Sequence, residues 1–392
     1  MIDKIRSTLQ RVPRGLLVIS LAMLLWGLGD GLFIFFLPLA LQQWQVDAVQ
    51  TGVILGLMGV PMVFIQLPAG YFADRFGTRP LVITAMLLGI TAAALMGFAG
   101  SLPVFIAGVL TYGFVALISP PMHSEITTLR GEWSVQRAVT FVSASMLCGA
   151  VFGPLIGGRI AAGIEMSAVF RISALLFTVA LGAVSLTNRA VRKERNTAAP
   201  VRKQLSFSRA LVGYLVMIFF AMLLLYMPQQ FSTLYLNEMH QVSVEQIGTL
   251  GTVTSLGAVV IMFGLGSLLP KFGMQLGQGF VALFSLLLWR GKTLPVFMVG
   301  YVFLGGSKLY LSMAEASSLS LVKADQIGFA YGAVATCNAL AVSAAPMLAG
   351  FFYDLRPASL YVVSFAGILI SMAVTAVYFQ RRKQNAVQPV SE

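Results

Sequence analysis

Long, nearly uninterrupted runs of apolar residues dominate the chain, and polar residues gather in the short stretches between them. A helix of about 20 apolar residues crosses the hydrocarbon core of a bilayer. The pattern predicts twelve such helices, of which the ninth is the shortest, so we expect an all-α membrane protein. Their expected limits are 15–41, 51–73, 80–99, 103–124, 137–161, 166–187, 210–236, 246–269, 275–291, 294–319, 326–352 and 358–380.

Composition supports this interpretation. Apolar residues make up 58% of the 392 residues and charged residues only 10%, against about 45–50% and about 25% in soluble domains. Both cysteines, Cys148 and Cys337, lie inside apolar runs, which excludes a disulfide framework. There are two histidines and no Cys/His cluster, so we expect neither a metal nor another cofactor. The net charge of +12 does not indicate a nucleic-acid partner, because the basic residues flank apolar runs.

The basic residues are distributed unevenly across the predicted membrane. Twenty of the 26 fall on the side that carries both termini, five fall on the opposite side, and Lys308 lies within a span. Loops that stay in the cytoplasm carry an excess of Lys and Arg. We therefore expect cytoplasmic termini in a multi-pass protein of a bacterial inner membrane, in contact with lipid.

The sequence also indicates an internal duplication of a six-helix unit. A basic segment, 188–209, separates a six-helix half at 1–187 from a six-helix half at 210–392. Gln45-Val46 recurs as Gln241-Val242, and Leu102-Pro103-Val104-Phe105 recurs as Leu294-Pro295-Val296-Phe297. Six helices per copy keep both copies in one orientation, which predicts two parallel repeats.

The segment Gly70-Tyr71-Phe72-Ala73-Asp74-Arg75-Phe76-Gly77-Thr78-Arg79 resembles the signature of the major facilitator superfamily. The resemblance, with twelve spans in two halves, covers essentially the whole chain. It implies the fold of that family, and it implies that Asp74 interacts with the N-terminus of the eleventh helix near Gln326. The expected cytoplasmic gate comprises Gly70, Asp74, Arg75, Gly77, Arg79 and Glu125. For Glu125, at the end of the fourth helix, a solvated helix end is the alternative.

A second motif lies in the fifth helix. Its residues are Gly149, Gly153, Pro154, Gly157 and Gly158. This pattern resembles the motif of the drug/proton antiporters within the superfamily. Its glycines permit close helix packing, and its proline bends the helix. The alternative is ordinary packing of small residues. The fourth helix, 103–124, lacks the arginine that many such antiporters carry.

Three ionisable residues inside spans are the first candidates for function: Asp30, Lys308 and Glu315. Charged groups are costly in hydrocarbon, so such residues default to functional hypotheses. Asp30 lies between glycines and suits proton binding, with a structural pairing to Lys308 as the alternative. Glu315 lies on the same face of the tenth helix as Lys308 and could form a polar path with it, and the alternative is that its side chain reaches the membrane interface. The family resemblance implies that the first, fourth, seventh and tenth helices line a central cavity.

Uncharged side chains complete the candidate set. Trp26, Tyr112 and Tyr226 offer aromatic surface for a substrate, and Gln229 and Asn338 offer polar contacts. Hydrogen bonding between helices is the alternative role for Gln229 and Asn338.

The function expected from this resemblance is secondary transport by alternating access: a monomer that exports a small amphipathic organic compound in exchange for protons. Two alternatives stay open. One is uptake or facilitated movement of a metabolite, such as an anion for which Lys308 is the counter-charge, and the other is a receptor or scaffold that does not transport. No nucleophile triad, P-loop or metal-ligand cluster is present, so we expect no enzymatic activity.

Overall fold

The structure is a computed structural model that describes residues 12–66, 75, 77–186, 209–322 and 326–387. Throughout this part of the chain the regular structure is helical, as expected from the apolar runs. The helices before the central segment are α1 Arg14–Phe33, α2 Leu37–Gln43, α3 Ala48–Gln66, α4 Thr78–Gly97, α5 Leu102–Gly113, α6 Ser119–Leu129, α7 Val135–Gly163 and α8 Met166–Ser185. The helices after it are α9 Arg209–Gln230, α10 Ser232–His240, α11 Val244–Leu265, α12 Pro270–Arg290, α13 Leu294–Phe303, α14 Gly306–Ser318, α15 Ile327–Leu355 and α16 Pro357–Val387.

Within the described residues, eleven helical segments are long and apolar enough to cross a membrane. A twelfth span is complete when α5 and α6, which meet at a bend of 43°, are counted together. The twelve spans predicted from the apolar runs are therefore confirmed.

Four of these spans are interrupted rather than continuous. The first consists of α1 and α2 joined by a 3₁₀ turn at Ile34–Phe36, and the fourth has a similar turn at Phe114–Ile118. The seventh changes from α9 to α10 at Phe231, and the tenth changes from α13 to α14 at Leu304-Gly305. The sequence predicted each of these as one run, because the residues at the breaks are apolar or small.

The chain groups into two compact units. Unit 1 comprises Met1–Phe35 and Phe64–Gln204, and unit 2 comprises Phe36–Val63 and Leu205–Glu392. The segment Phe36–Val63 precedes the predicted central linker in sequence and nevertheless belongs to unit 2. Most of that linker, 188–209, lies outside the described residues.

Unit 1 is organised around α1. This helix packs along α7 and α8, and α4 packs between α8 and α5. The core contains large aromatic side chains, and Phe33, Phe170 and Phe177 are all completely buried. Close packing of this kind holds the first span firmly against the fifth and sixth spans.

In unit 2, α9 packs against α15 and α16, and α12 packs against α14 and α16. The segment Phe36–Val63 is bound to this framework by hydrogen bonds. Gln42 Nε2 donates to Glu238 Oε1 at 2.6 Å, and Ser343 Oγ donates to the Gly56 carbonyl at 2.9 Å. These contacts explain why the segment groups with the second half of the chain.

The duplication extends to backbone detail. Gln45 and Gln241 occupy equivalent repeat positions, and both have a positive φ, 58° and 56°, which is uncommon for residues other than glycine. Two residues later, Asp47 Oδ1 accepts from the Gln50 N–H and Ser243 Oγ accepts from the Gln246 N–H. Both copies therefore use one turn and one capped helix start.

Candidate functional site

The four interrupted spans carry most of the candidate residues. Asp30 and Trp26 lie in the first span, and Tyr112 lies in the fourth. Tyr226 and Gln229 lie in the seventh span, and the tenth contributes Lys308 and Glu315. Discontinuous helices are typical of substrate and ion sites in secondary transporters, because broken helices expose polar backbone and allow movement. The interruptions thus coincide with the helices that were expected to line a cavity.

In unit 1, the carboxylate of Asp30 is paired with a tyrosine. The Tyr112 hydroxyl in α5 donates a hydrogen bond to Asp30 Oδ1. The ring of Phe33 meets the Tyr112 ring edge-on at 4.9 Å, which fixes the orientation of the phenol. A hydrogen bond to an ionised acceptor is stronger than a neutral one, so Tyr112 stabilises the charged form of Asp30.

Side chains of α8 also contact the helix that carries Asp30. Ser173 Oγ in α8 lies 2.8 Å from the Gly29 carbonyl oxygen and 2.9 Å from that of Val169. Trp26 is buried, and its ring stacks on Phe177 at 4.2 Å. The structure therefore places Trp26 in the packing between helices, although the sequence had suggested a role as cavity surface.

The glycine motif of the fifth span packs directly on the helix that carries Asp30. An added methyl group at Gly149 would overlap the Leu24 carbonyl oxygen, and one at Gly153 would lie 2.6 Å from the Gly31 Cα. Pro154 lies inside α7, and Gly157 and Gly158 are buried beside it. Since the neighbours are backbone atoms, they cannot move aside cheaply, and only glycine permits this separation of α1 and α7.

Unit 2 contains a second polar pair. The Tyr226 hydroxyl in α9 donates to Asn338 Oδ1 in α15 at 2.8 Å. Glu315 in α14 is half-buried and lies within electrostatic range of the Tyr226 hydroxyl. Asn338 thus makes the hydrogen bond between helices that was its alternative role.

The other polar candidates of unit 2 differ in their surroundings. Gln229 Nε2 donates to the Leu225 carbonyl of its own helix at 2.8 Å, which satisfies one of its two amide protons. Lys308 is exposed in the first turn of α14. It lies seven residues before Glu315, a rise of about 10.5 Å along a helix.

The predicted gate is described only in part. Glu125 is almost completely buried and accepts a hydrogen bond from Thr78 Oγ1 at 3.2 Å. Gly77, with φ of 88°, supplies the turn that leads into α4, and Arg79 Nη2 donates to the Ser185 carbonyl at 3.0 Å. Arg75 is exposed. Gly70 and Asp74 lie outside the described residues.

Reasoning from the sequence missed two contributors, Ser173 and Thr78. Ser173 lies in no motif, and Thr78 lies in the Gly70–Arg79 segment but was not among its candidate residues, because a single serine or threonine in an apolar or terminal stretch gives no signal of its own. Within the described residues, no three His, Cys, Asp or Glu side chains are arranged to hold a metal ion.

Comparison with known proteins identifies the family. The family model described as Major Facilitator Superfamily matches residues 19–276 and 231–392. "Multidrug resistance protein 2" of Bacillus subtilis is 23% identical over 381 residues, which is 92% of this chain and 94% of that protein. The 4-hydroxybenzoate transporter of Pseudomonas aeruginosa is 27% identical over 150 residues, which is 38% of this chain and 33% of that protein.

Solved structures agree on the fold. The crystal structure of a nucleoside transporter superposes with a TM-score of 0.80 at 11% identity, and the match covers 94% of this chain and 98% of that one. The crystal structure of a human organic anion transporter gives a TM-score of 0.67 at 16% identity and covers 92% of this chain and 99% of that one. The chain therefore belongs to the major facilitator superfamily and is a multi-pass membrane transporter.

Proposed function

We propose that this transporter exports small amphipathic organic compounds in exchange for protons, with Asp30 as the proton-binding group. The observation that carries the proposal is the surroundings of Asp30. The carboxylate accepts a hydrogen bond from Tyr112, and the turns around it pack on the glycine motif of α7. An acid inside a span, held by a neighbouring helix and joined to a close helix contact, can link protonation to helix movement.

In the proposed cycle Asp30 binds and releases one proton. Protonation of Asp30 removes its charge and weakens the charge-assisted bond from Tyr112, which loosens α1 relative to α5. Loss of the proton restores the carboxylate and tightens that bond. A cationic or amphipathic substrate favours the carboxylate form, so the proton and the substrate compete for one group. The relative from Bacillus subtilis named for multidrug resistance supports this substrate class.

A test of direction and substrate class uses the full-length protein in proteoliposomes. Ethidium serves as a cationic amphipathic probe and 4-hydroxybenzoate as an anionic one. We expect ethidium to accumulate in vesicles with an acidic lumen and to equilibrate only when the pH gradient is removed by an ionophore. Accumulation that is insensitive to the ionophore would contradict the proposal.

A second candidate function is uptake of an organic anion. Lys308 is an exposed cation on an interrupted span, and part of the chain is similar to a 4-hydroxybenzoate transporter. In this case 4-hydroxybenzoate enters together with protons, and Lys308→Gln abolishes its transport. The same proteoliposome experiment separates the two functions, because the two probes would move in opposite directions relative to the proton.

Tyr112→Phe is expected to shift the pH dependence of transport without abolishing transport. The ring and its contact with Phe33 remain, and only the hydroxyl is lost. A hydrogen bond to a charged group contributes about 1.5–3 kcal/mol, so its loss should change the pH range over which Asp30 binds and releases its proton. Initial rates measured between pH 5 and 9 check this shift. An unchanged profile would show that Tyr112 does not control Asp30.

We also propose the orientation given by the charge distribution, with both termini and the central linker in the cytoplasm. The test places a single cysteine at Ala198→Cys in a background that carries Cys148→Ser and Cys337→Ala. This cysteine should resist an impermeant thiol reagent applied to intact cells. A matched cysteine at the exposed connection before α13, Thr293→Cys, should react. The reverse pattern would invert the orientation.

A further inference from the structure

Four tyrosines crowd one end of unit 2, where α10 ends and α15 meets α16. We name this tyrosine cluster by its members Tyr235, Tyr301, Tyr353 and Tyr361. The rings of Tyr235 and Tyr361 lie 4.5 Å apart, and the hydroxyls of Tyr235, Tyr301 and Tyr353 all lie within electrostatic range of Tyr361. Under the proposed orientation this end of the unit faces the outside.

Several hydroxyls at this end are buried without a partner. Tyr301 and Tyr361 are fully buried, and Thr233 and Ser364 are also nearly inaccessible. None of these four hydroxyls has a hydrogen-bond partner within the part of the chain that the structure describes. A buried hydroxyl without a partner is costly, and proteins usually relieve that cost with bound water when several polar groups surround the site.

A carboxylate on the surface is hydrogen-bonded to the tyrosine cluster. Glu238 is exposed at the end of α10, and it accepts hydrogen bonds from Tyr353 Oη at 2.5 Å and from Gln42 Nε2 at 2.6 Å. Tyr361 lies about 6 Å from the start of α16, and Tyr301 lies about 10 Å from the start of α13, both measured along the helix axis. Polar groups are therefore present from Glu238 at the surface to positions deeper in unit 2.

Further from Glu238, the next polar side chains of this series lie in the seventh span. The Tyr301 hydroxyl lies beside Ser232, whose own hydroxyl donates to the Gln229 carbonyl at 2.8 Å. About 9 Å further along this span lies Tyr226, which pairs with Asn338 and lies within electrostatic range of Glu315. Every hydroxyl along this line can both donate and accept a hydrogen bond, which a proton relay requires.

Other titratable groups surround the two ends of this line. At the outer end, His240 packs on Tyr235 and Phe297, and the exposed charges are Arg290, Lys292, Asp354 and Arg356. The helices packed against α14 carry Arg209, Tyr214, Tyr226, Glu245, Lys271, Arg290, Tyr331, Cys337, Tyr353 and Asp354. Glu315 lies in α14, which packs against the helix of Tyr226, and it interacts electrostatically with the Tyr226 hydroxyl, so we assign it as the acceptor at the inner end.

We propose that the tyrosine cluster and its neighbouring hydroxyls hold bound water that conducts protons from Glu238 to Glu315. Each hydroxyl or water accepts a proton on its oxygen and releases its own proton to the next group. The net result is that Glu315 becomes a neutral acid and the outer solution loses one proton. This inference rests on the proposed exchange with protons, and it adds a second proton-binding acid in unit 2.

The first test requires no substrate. Water radiolysis oxidises buried side chains that contact bound water, so it is applied to the full-length protein in lipid nanodiscs. We expect Tyr301 and Tyr361 to be oxidised several-fold faster than Tyr214. The control is matched because Tyr214 is also fully buried, but its hydroxyl donates to the Ala314 carbonyl at 2.8 Å. Equal oxidation rates for the three tyrosines would overturn the proposal.

The second test measures proton movement. Tyr301→Phe and Tyr361→Phe remove one hydroxyl each and keep the buried ring. Each should slow proton-coupled ethidium transport roughly tenfold or more, while exchange of labelled for unlabelled ethidium stays at the wild-type rate. Because the groups act in series, the double variant should be little slower than the slower single variant.

A third substitution supplies the control. Tyr310 is another buried tyrosine of unit 2 without a partner in the described residues, and the groups that act on its hydroxyl are Tyr214 and Thr375 rather than members of the tyrosine cluster. Tyr310→Phe should keep the wild-type rate, and an equal loss in that variant would refute the path. A wild-type protein that moves ethidium without protons would instead refute the proposed exchange, and the radiolysis result would then stand as a separate measurement.

Discussion

Asp30→Asn is expected to abolish accumulation of ethidium driven by a pH gradient, while the protein still inserts and binds the probe more weakly and with less dependence on pH. Asparagine has nearly the same shape as aspartic acid and resembles its permanently neutral form. The variant therefore cannot release a proton when substrate binds, so substrate and proton no longer compete. An exchange that depends on one such group should lose at least about two orders of magnitude in driven rate.

The control for this substitution is Asp47→Asn. Asp47 lies at the start of α3, where Oδ1 accepts a hydrogen bond from the Gln50 N–H at 2.7 Å. Asparagine caps a helix about as well as aspartate, so this variant should transport normally. Rates of ethidium accumulation in proteoliposomes, normalised to inserted protein, provide the comparison. Wild-type accumulation by Asp30→Asn would transfer the coupling role to Glu315 and leave Asp30 as a packing residue.

Gly149→Ala should both destabilise the protein and stop transport. The new methyl group would meet the Leu24 carbonyl oxygen and the Leu28 nitrogen, which belong to the backbone of α1. Relieving this overlap requires α1 and α7 to separate, and overpacking of this kind costs about 1–3 kcal/mol. Because the same contact supports the turns that carry Asp30, the geometry of the proton site should change as well.

The matched control is Gly163→Ala, at the end of the same helix. A methyl group there meets no atom within 4 Å, so this variant should keep wild-type stability and activity. Thermal unfolding in detergent and transport in proteoliposomes measure the two effects. Equal melting temperatures and equal rates for the two variants would show that the contact between α1 and α7 is not needed.

Much of the architecture follows from local sequence. The apolar runs predicted twelve spans because a lipid environment leaves the backbone few alternatives to helix. The repeats were visible because equivalent turns need equivalent residues, and Gln45 and Gln241 indeed share a positive φ. The candidate acids were found because charge inside a span is rare enough to be conspicuous.

The remaining features depend on how helices are rotated and broken. Tyr112 and Asp30 were separate candidates, and no spacing rule predicts that they pair, because the contact depends on the rotation of α1 and α5. The breaks at Ile34–Phe36 and Phe231 stayed hidden because the residues there are apolar. The tyrosine cluster combines residues from four helices, none of which carries a recognisable motif.

The grouping of Phe36–Val63 with unit 2 also could not be predicted. The apolar pattern assigns this segment to the end of the first span and the first part of the second span, within the six-helix half at 1–187. Its attachment depends on specific partners such as Glu238 and Ser343, which lie far away in the sequence. Patterns within a window of residues carry no information about such contacts.

The central claim is that substrate leaves the cytoplasmic side only as a proton takes its place. The most direct test records both movements in one proteoliposome, with a pH-sensitive dye trapped in an acidic, weakly buffered lumen and ethidium added outside. We predict that the lumen becomes more alkaline as ethidium enters, at a constant ratio of protons to ethidium, and that Asp30→Asn abolishes both signals. Ethidium entry with an unchanged lumen pH, or with acidification of the lumen, would contradict the account.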